Sequence, residues 1–210
     1  MELFAKPKRK KRSRADAGDL SRDLAADEDD GAAAPPAAPP ARKNAALAAE
    51  GEDDAAARAQ TFAELGVCSW LVDSCTALGM RAPTPVQRCC IPAALRGHDV
   101  MGLAETGSGK TAAFALPMLQ KLSADPYGIF GLVLTPTREL AIQIAEQVVA
   151  LGAPMGVRVC CVIGGVNMTQ QALEVAARPH LLVATPGRLI DHLEGPSPPP
   201  LSRLAYLVFL

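Results

Sequence analysis

The sequence predicts an α/β fold in which helices flank a parallel β-sheet. From residue 60 onward, short apolar runs alternate with amphipathic segments, and repeated strand–helix units of this length are typical of parallel sheets. A glycine-rich segment, AETGSGKT at residues 104–111, stands between the first apolar run and the helical segment that follows. A glycine-rich turn that leads from a strand into a helix is a common binding site for phosphate groups.

The first 60 residues predict a disordered tail before this fold. They hold a basic run from Lys6 to Arg14, an acidic run from Asp23 to Asp30, and a stretch rich in alanine and proline. Such a composition buries too little apolar surface to offset the entropy of ordering. The basic run predicts a nuclear import signal or a solvated tail that contacts nucleic acid. A charged tail with no targeting role is the simpler alternative. Because the chain has no run of about 18 apolar residues and no apolar signal core, we expect neither a membrane span nor secretion.

Two helices are predicted at the start of the folded part. The first, in CSWLVDSCTALG, has Ser69 as its N-cap and Gly79 as its terminator; the second, in TPVQRCCIPAALRG, has Thr84 as its N-cap and Pro85 in its first turn. Five strands are then predicted, with helices between them: DVMGLA (residues 99–104), FGLVLT, VRVCCVIG, HLLVAT and LAYLVFL. The six cysteines follow neither CxxC nor metal-ligand spacing, so we expect reduced thiols that pack in the interior.

The glycine-rich segment has the residues that a nucleotide phosphate requires. Gly107 and Gly109 allow successive backbone N–H groups to turn inward and, with the helix N-terminus, to form a nest for the β- and γ-phosphates. Lys110 adds a positive charge, and the hydroxyl of Thr111 is a ligand for Mg²⁺. The general pattern expects glycine where Ala104 stands.

Two residues upstream are candidates for contact with the base. Gln87, near the start of a predicted helix, offers a donor and an acceptor together, which matches the N6 and N7 edge of adenine. Phe62 offers an aromatic ring that could stack on the same base. A glutamine on a helix is usually a surface residue, so its interpretation depends on the phosphate loop that follows.

With these motifs the sequence resembles the DEAD-box RNA helicases of superfamily 2. GMRAPTPVQ (79–87) resembles the Q motif of that family, with Phe62 as its upstream aromatic, and AETGSGKT resembles its motif I, in which alanine is usual at the first position. PTRELAIQ (136–143) resembles motif Ia, and the pair Gly164–Gly165 and TPGR (185–188) resemble further RNA-side motifs. An unrelated kinase or transporter ATPase would also have a phosphate loop. The Q motif and PTRELA argue against these classes, because such proteins need neither motif.

The resemblance implies a RecA-like first helicase lobe, an ATP-dependent RNA helicase activity, and ATP and Mg²⁺ as cofactors. Its domains would be the tail at 1–60, the Q motif region at 60–88 and an incomplete ATP-binding lobe at 91–210. Lys110 and Thr111 would be catalytic, with Thr111 at the metal. The implied nucleotide contacts are Phe62, Gln87, Ala104, Glu105, Thr106, Gly107, Ser108, Gly109, Lys110 and Thr111. The implied RNA contacts are Pro136, Thr137, Arg138, Gly164, Gly165, Thr185, Pro186, Gly187 and Arg188.

The chemistry of the RNA-side motifs agrees with this implication. In PTREL and TPGR a threonine-containing segment leads directly into a predicted helix, which combines free N–H groups, a helix dipole, a hydroxyl and an arginine. Such a site holds a phosphate and not a base edge, so RNA would be bound through its backbone, without sequence preference. A capped helix with Arg188 in solvent is the simpler alternative for TPGR.

Two longer stretches, FAELGVCSWLVDSC and LSADPYGIFGLVLTPTRELAIQIAEQ, are similar to the subfamily called DEAD-box helicase 49, a nucleolar type from ribosome biogenesis. This similarity implies ribosomal RNA processing, a nuclear and nucleolar location, and pre-ribosomal proteins as partners.

The last residues differ from the family pattern. The strand YLVF (206–209) matches the apolar residues before the family's Asp-Glu-Ala-Asp motif, and Leu210 stands where the first Asp belongs. A truncated splice product or a gene-model artefact would have such a sequence. We therefore expect this chain alone to lack RNA-stimulated ATPase activity. A catalytically silent isoform that competes for RNA or for a partner is the alternative to an active helicase.

Overall fold

The computed structural model describes residues 60–210, so the predicted tail lies outside the described residues except for Gln60. Its sheet has four parallel strands in the order β2-β3-β1-β4. The strands are β1 (Gly131–Leu134), β2 (Val159–Val162), β3 (Leu181–Ala184) and β4 (Tyr206–Phe209). Four of the five predicted strands are thus confirmed, as is the parallel α/β architecture.

Six α-helices connect and flank the strands in the described range. They are α1 (Ser69–Ala77), α2 (Pro85–Leu95), α3 (Lys110–Leu122), α4 (Arg138–Leu151), α5 (Met168–Ala176) and α6 (Pro186–Leu193). Short 3₁₀ turns follow at Ala153–Met155 and Leu201–Arg203. None of the helices in this part of the chain is both long enough and apolar enough to cross a membrane.

Local sequence signals account for most of the helix ends. The hydroxyl of Thr137 accepts a hydrogen bond from the N–H of Leu140 at 3.3 Å and so caps α4. The side chain of Asn167 does the same for α5, whose first N–H groups donate to it. The expected cap of α1 is wrong by one residue: the helix begins at Ser69, and the N-cap is Cys68. The N–H of Cys68 donates to the side chain of Gln120 at 2.8 Å, a tertiary contact that the local sequence does not reveal.

The position of β3 inside the sheet, between β2 and β1, explains why its sequence is apolar at every position. Leu181 and Val183 belong to the larger core cluster, which includes Leu116 and Leu119 of α3. Leu182 and Ala184 point to the opposite face and belong to a second cluster. All four residues of β3 are buried, because helices cover both faces of a parallel sheet.

The strand expected at residues 99–104 is wrong: this segment has no strand conformation in the structure. Two of its side chains, Met101 and Leu103, are 90% and 91% exposed. An apolar run predicts only that a segment suits a buried strand; the strand itself requires a neighbour with which its backbone pairs. Here the segment passes outside the four-stranded sheet.

The six cysteines are free thiols, as expected, but the expectation that all of them pack in the interior is wrong for Cys89, which is exposed. Burial raises the pKa of Cys75 to about 11. Burial, with a further contribution from the carboxylate of Glu174, raises the pKa of Cys160 to about 12. These two thiols therefore stay protonated at neutral pH and act as packing groups.

Candidate nucleotide and RNA-backbone site

The phosphate loop runs directly into helix α3, which begins at Lys110. Gly107 and Gly109 have φ angles of +80° and +88°, in the left-handed region that favours glycine. A Cβ atom at Gly107 would meet nothing within 4 Å, and residues 104–107 are exposed. The loop is thus an open turn at a helix N-terminus, a geometry that fits a phosphate chain.

Backbone carbonyl groups of the loop accept hydrogen bonds from the side chain of Lys110. The Nζ atom of Lys110 donates to the carbonyl of Glu105 at 2.7 Å and also to that of Ala104. The hydroxyl of Ser108 donates to the same Glu105 carbonyl at 2.7 Å. These contacts hold the Lys110 ammonium group over the loop. Thr111 follows Lys110 in the first turn of α3 and is partly buried.

Gln87 lies against the phosphate loop. Its side chain is 2% exposed; Oε1 accepts a hydrogen bond from the N–H of Thr84 at 2.9 Å, and Nε2 donates to the carbonyl of Gly109 at 3.0 Å. A Cβ atom at Gly109 would lie only 2.4 Å from that Nε2 atom. Gln87 therefore connects the start of α2 to the phosphate loop, a role that the motif alone did not predict.

Phe62 packs in the interior of the described structure. Its ring is 2% exposed and belongs to the main core cluster. Gln87 is buried to the same extent, so burial does not distinguish the two residues, and the stacking of Phe62 on a base stays a prediction.

The RNA-side residues meet at one edge of the sheet. Residues 136–138 follow β1, Gly164 and Gly165 follow β2, and Thr185 follows β3 directly. Because these three parallel strands are neighbours, their carboxyl ends bring the segments together. Two hydrogen bonds extend the pairing beyond the strands: Thr135 donates to Ala184 at 2.9 Å, and Thr185 donates to Val162 at 3.0 Å.

Arg138, the first residue of α4, lies over the Gly164–Gly165 turn. A Cβ atom at Gly164 would be 2.9 Å from Nη2 of Arg138, and one at Gly165 would be 2.6 Å from Nη1. The glycine pair thus leaves room for the guanidinium group, and Gly165 also has a φ angle of +85°. Arg138 remains exposed, so a positive charge is available at this edge.

The TPGR segment forms the start of α6, with Thr185 as its N-cap and Pro186 as its first residue. Gly187 is exposed, and a Cβ there would meet nothing within 4 Å. Arg188 differs from both expectations. Its Nε donates to Oε1 of Gln171 at 3.0 Å, its Nη2 donates to the carbonyl of Val166, and its side chain is only 15% exposed. Arg188 therefore lies neither in solvent nor free to hold a phosphate with its whole guanidinium group.

Sequence reasoning missed the residue that binds Nε of Arg188, Gln171, and the second partner of that glutamine, His192. Gln171 and His192 are 1% and 3% exposed, and Oε1 of Gln171 lies 3.2 Å from Nε2 of His192. Burial, and then the nearby charge of Arg188, lower the pKa of His192 below its ordinary value. The sequence did contain one sign that Gln171 is buried. It stands four residues before the apolar Val175 on α5, so both side chains lie on the same, buried face of the helix.

Comparisons with known proteins agree with this geometry. The family model described as DEAD/DEAH box helicase matches residues 84–209. The human probable ATP-dependent RNA helicase DDX49 is 60% identical over 147 residues, which cover 70% of this chain and 30% of that protein. The ATP-dependent rRNA helicase rrp3 of Aspergillus niger is 55% identical over 151 residues, which cover 72% of this chain and 32% of that protein. This chain thus spans about a third of the length of the curated relatives that it matches.

Among solved structures, the RNA-helicase Prp28 from Chaetomium thermophilum bound to ADP is similar to this chain. The TM-score is 0.64 and the identity 38%, over 72% of this chain and 38% of that one. The expected RecA-like fold is therefore confirmed. With the phosphate loop, the shared sheet edge and the family match over residues 84–209, the chain belongs to the DEAD/DEAH box helicase family.

Proposed function

We propose that this chain is the nucleotide-binding lobe of an ATP-dependent RNA helicase. The observation that carries the proposal is the phosphate loop, an open turn with two left-handed glycines at the N-terminus of α3. The loop residues 104–111 would hold the phosphates of ATP, with Lys110 as the charge that faces them. Thr111 would bind Mg²⁺ together with the phosphate oxygens. ATP supplies the energy for unwinding when it is bound and hydrolysed.

The second ligand in this proposal is the sugar-phosphate backbone of RNA. Groups at the carboxyl edge of the sheet support it: the exposed Arg138, the Gly164–Gly165 turn and the N-terminal turn of α6. These are charged side chains and backbone N–H groups, which recognise phosphate oxygens and carry no information about the base. Binding without sequence preference suits a helicase that acts on many RNA segments.

We expect the chain to bind two single-stranded RNAs of different sequence with equal affinity. Replacing Arg138 with alanine should weaken both by the same factor and reduce the slope of log K against log salt by about 0.7, the value for one single-strand phosphate contact. Fluorescence anisotropy over a series of salt concentrations measures both quantities. Arg178→Ala is the matched control, because Arg178 is an exposed arginine just before β3, at the opposite edge of the sheet. A loss confined to one of the two RNAs would contradict backbone recognition.

Ribosomal RNA is the substrate class that we propose, with pre-ribosomal proteins as partners. The relative from Aspergillus niger is named an rRNA helicase, and the chain has a dense basic run from Lys6 to Arg14. Such a run is typical of nuclear import signals.

We therefore expect a fluorescent reporter fused to residues 1–60 to accumulate in the nucleus and the nucleolus. Replacing the basic run with glycine and serine should distribute the reporter through the whole cell, because the import receptor would have lost its charged ligand. An even distribution of the unsubstituted reporter in the cytoplasm would contradict the import role.

A further inference from the structure

A buried polar junction lies behind the RNA-side edge of the sheet. Its centre is the side-chain amide of Gln171 on α5, which is 1% exposed. The Nε2 atom donates to the carbonyl of Ile163 at 2.8 Å. The Oε1 atom accepts from Nε of Arg188 at 3.0 Å and lies 3.2 Å from Nε2 of His192. A buried amide is costly unless it is paired, and here both of its ends are paired.

Two backbone carbonyls that accept hydrogen bonds in this junction belong to the residues on either side of the glycine pair. Ile163 directly precedes Gly164, and Gln171 holds its carbonyl. Val166 directly follows Gly165, and its carbonyl accepts a hydrogen bond from Nη2 of Arg188. Hydrogen bonds therefore hold the residues on both sides of the Gly164–Gly165 turn. Gln171 binds the carbonyl before the turn, and Arg188, which Gln171 also binds, holds the carbonyl after it.

The same junction fixes helix α6. Arg188 and His192 lie one helical turn apart on α6, and both meet the single oxygen of Gln171. Because Oε1 is an acceptor, His192 contributes its Nε2 atom as a donor. Burial lowers the pKa of His192, which favours the neutral imidazole at neutral pH. One side chain therefore links the turn after β2 to the helix after β3.

We infer that Gln171 is a positioning residue for RNA-backbone binding, acting through Arg188. It holds the Gly164–Gly165 turn and the N-terminal turn of α6 in one fixed arrangement, so that their N–H groups face a single RNA strand together. Gln171 itself does not contact RNA. The inference rests on the proposed RNA function of this edge.

The test uses the 210-residue chain and a fluorescein-labelled single-stranded RNA of about 20 nucleotides. Gln171→Met keeps the length and helix propensity of the side chain but removes its hydrogen bonds. We expect it to weaken RNA binding about tenfold, the effect of one lost charge-assisted hydrogen bond. Gln170→Met is the matched control, since Gln170 is the exposed neighbour on the same helix; its affinity should stay within about twofold.

A double-mutant cycle separates positioning from a general loss of structure. If Gln171 acts through Arg188, Gln171→Met should cost less than about twofold in an Arg188→Ala background. Gln171→Glu keeps an oxygen that accepts from Arg188 but loses the N–H that donates to the Ile163 carbonyl. It should therefore recover only part of the affinity that Gln171→Met loses. Affinity for a fluorescent ATP analogue should remain unchanged in all these variants, because the nucleotide site is built from α2, α3 and the phosphate loop.

Several results would overturn the inference. They are an unchanged RNA affinity in Gln171→Met, an additive cycle with Arg188→Ala, and an equal loss of RNA and nucleotide affinity, which would indicate a general loss of structure. If Gln171→Met does not fold, Gln171→Ala, which also removes the side-chain amide, takes its place in the binding comparison and in the cycle with Arg188→Ala. Failure of the unsubstituted chain to bind RNA is a different outcome, and it would overturn the proposed RNA function itself.

Discussion

Replacing Gly109 with alanine is expected to lower nucleotide affinity by at least about tenfold and to destabilise the fold by roughly 1–2 kcal/mol. Two effects combine at this position. The φ angle of +88° is strained for any residue with a Cβ atom. The new Cβ would also lie 2.4 Å from Nε2 of Gln87, which hydrogen bonds to the Gly109 carbonyl. The loop must therefore move away from Gln87, and its N–H groups lose their common orientation.

Two comparison variants separate strain from the steric contact. Gly107 has a similar φ angle of +80°, but a Cβ there would meet nothing within 4 Å. Gly107→Ala should therefore lower the melting temperature less than Gly109→Ala. Adding Gln87→Ala to Gly109→Ala removes the contact and should restore part of the lost stability. Thermal unfolding and titration with a fluorescent ATP analogue measure the two effects. Equal melting temperatures for Gly107→Ala and Gly109→Ala would contradict this account of the contact.

The sequence was a good guide wherever local chemistry decides the structure. Gly109 lies in a left-handed turn, Thr137 caps a helix, and the apolar run of β3 forms a strand that is buried on both faces. Each of these local structures favours the residue type that the sequence has there. The order of the motifs also placed the RNA-side residues correctly at strand ends, because parallel strands share one carboxyl edge.

Tertiary partners could not be predicted from the sequence. Residues 99–104 have the composition of a strand, yet a strand depends on its neighbour, and Met101 and Leu103 are exposed. Phe62 has the position of a stacking residue, and it also packs in the core. Arg188 has the charge of a phosphate ligand, but its partner Gln171 lies 17 residues away and was identified only from the folded structure.

Removal of the Gln87 side chain is expected to abolish discrimination between adenine and guanine. A glutamine amide has two N–H donors and two acceptor lone pairs. The Gly109 carbonyl uses one N–H, and the N–H of Thr84 uses one lone pair. The remaining donor and lone pair match N7 and the N6 amino group of adenine. Guanine has a carbonyl oxygen in place of that amino group, so two acceptors would face each other. An unpaired buried acceptor costs about 1–3 kcal/mol, which corresponds to a preference of about 5- to 150-fold for ATP.

The matched control for this variant is Gln147→Ala, because Gln147 is an exposed glutamine on α4, outside the nucleotide site. It should keep the preference of the unsubstituted chain. Lys110→Ala should weaken ATP and GTP alike, since in the proposed site the lysine would face phosphates that both nucleotides share. An equal loss of ATP and GTP affinity in Gln87→Ala would limit Gln87 to its structural contact with Gly109.

Competition of ATP and GTP for the unsubstituted chain, with a fluorescent adenine nucleotide as the displaced probe, tests the central claim most directly. The claim is that Gln87 and the phosphate loop form one adenine-nucleotide site. It predicts that ATP displaces the probe at a concentration at least about fivefold lower than GTP does, and that Gln87→Ala makes the two displacement curves coincide. Equal displacement by ATP and GTP in the unsubstituted chain would contradict the claim.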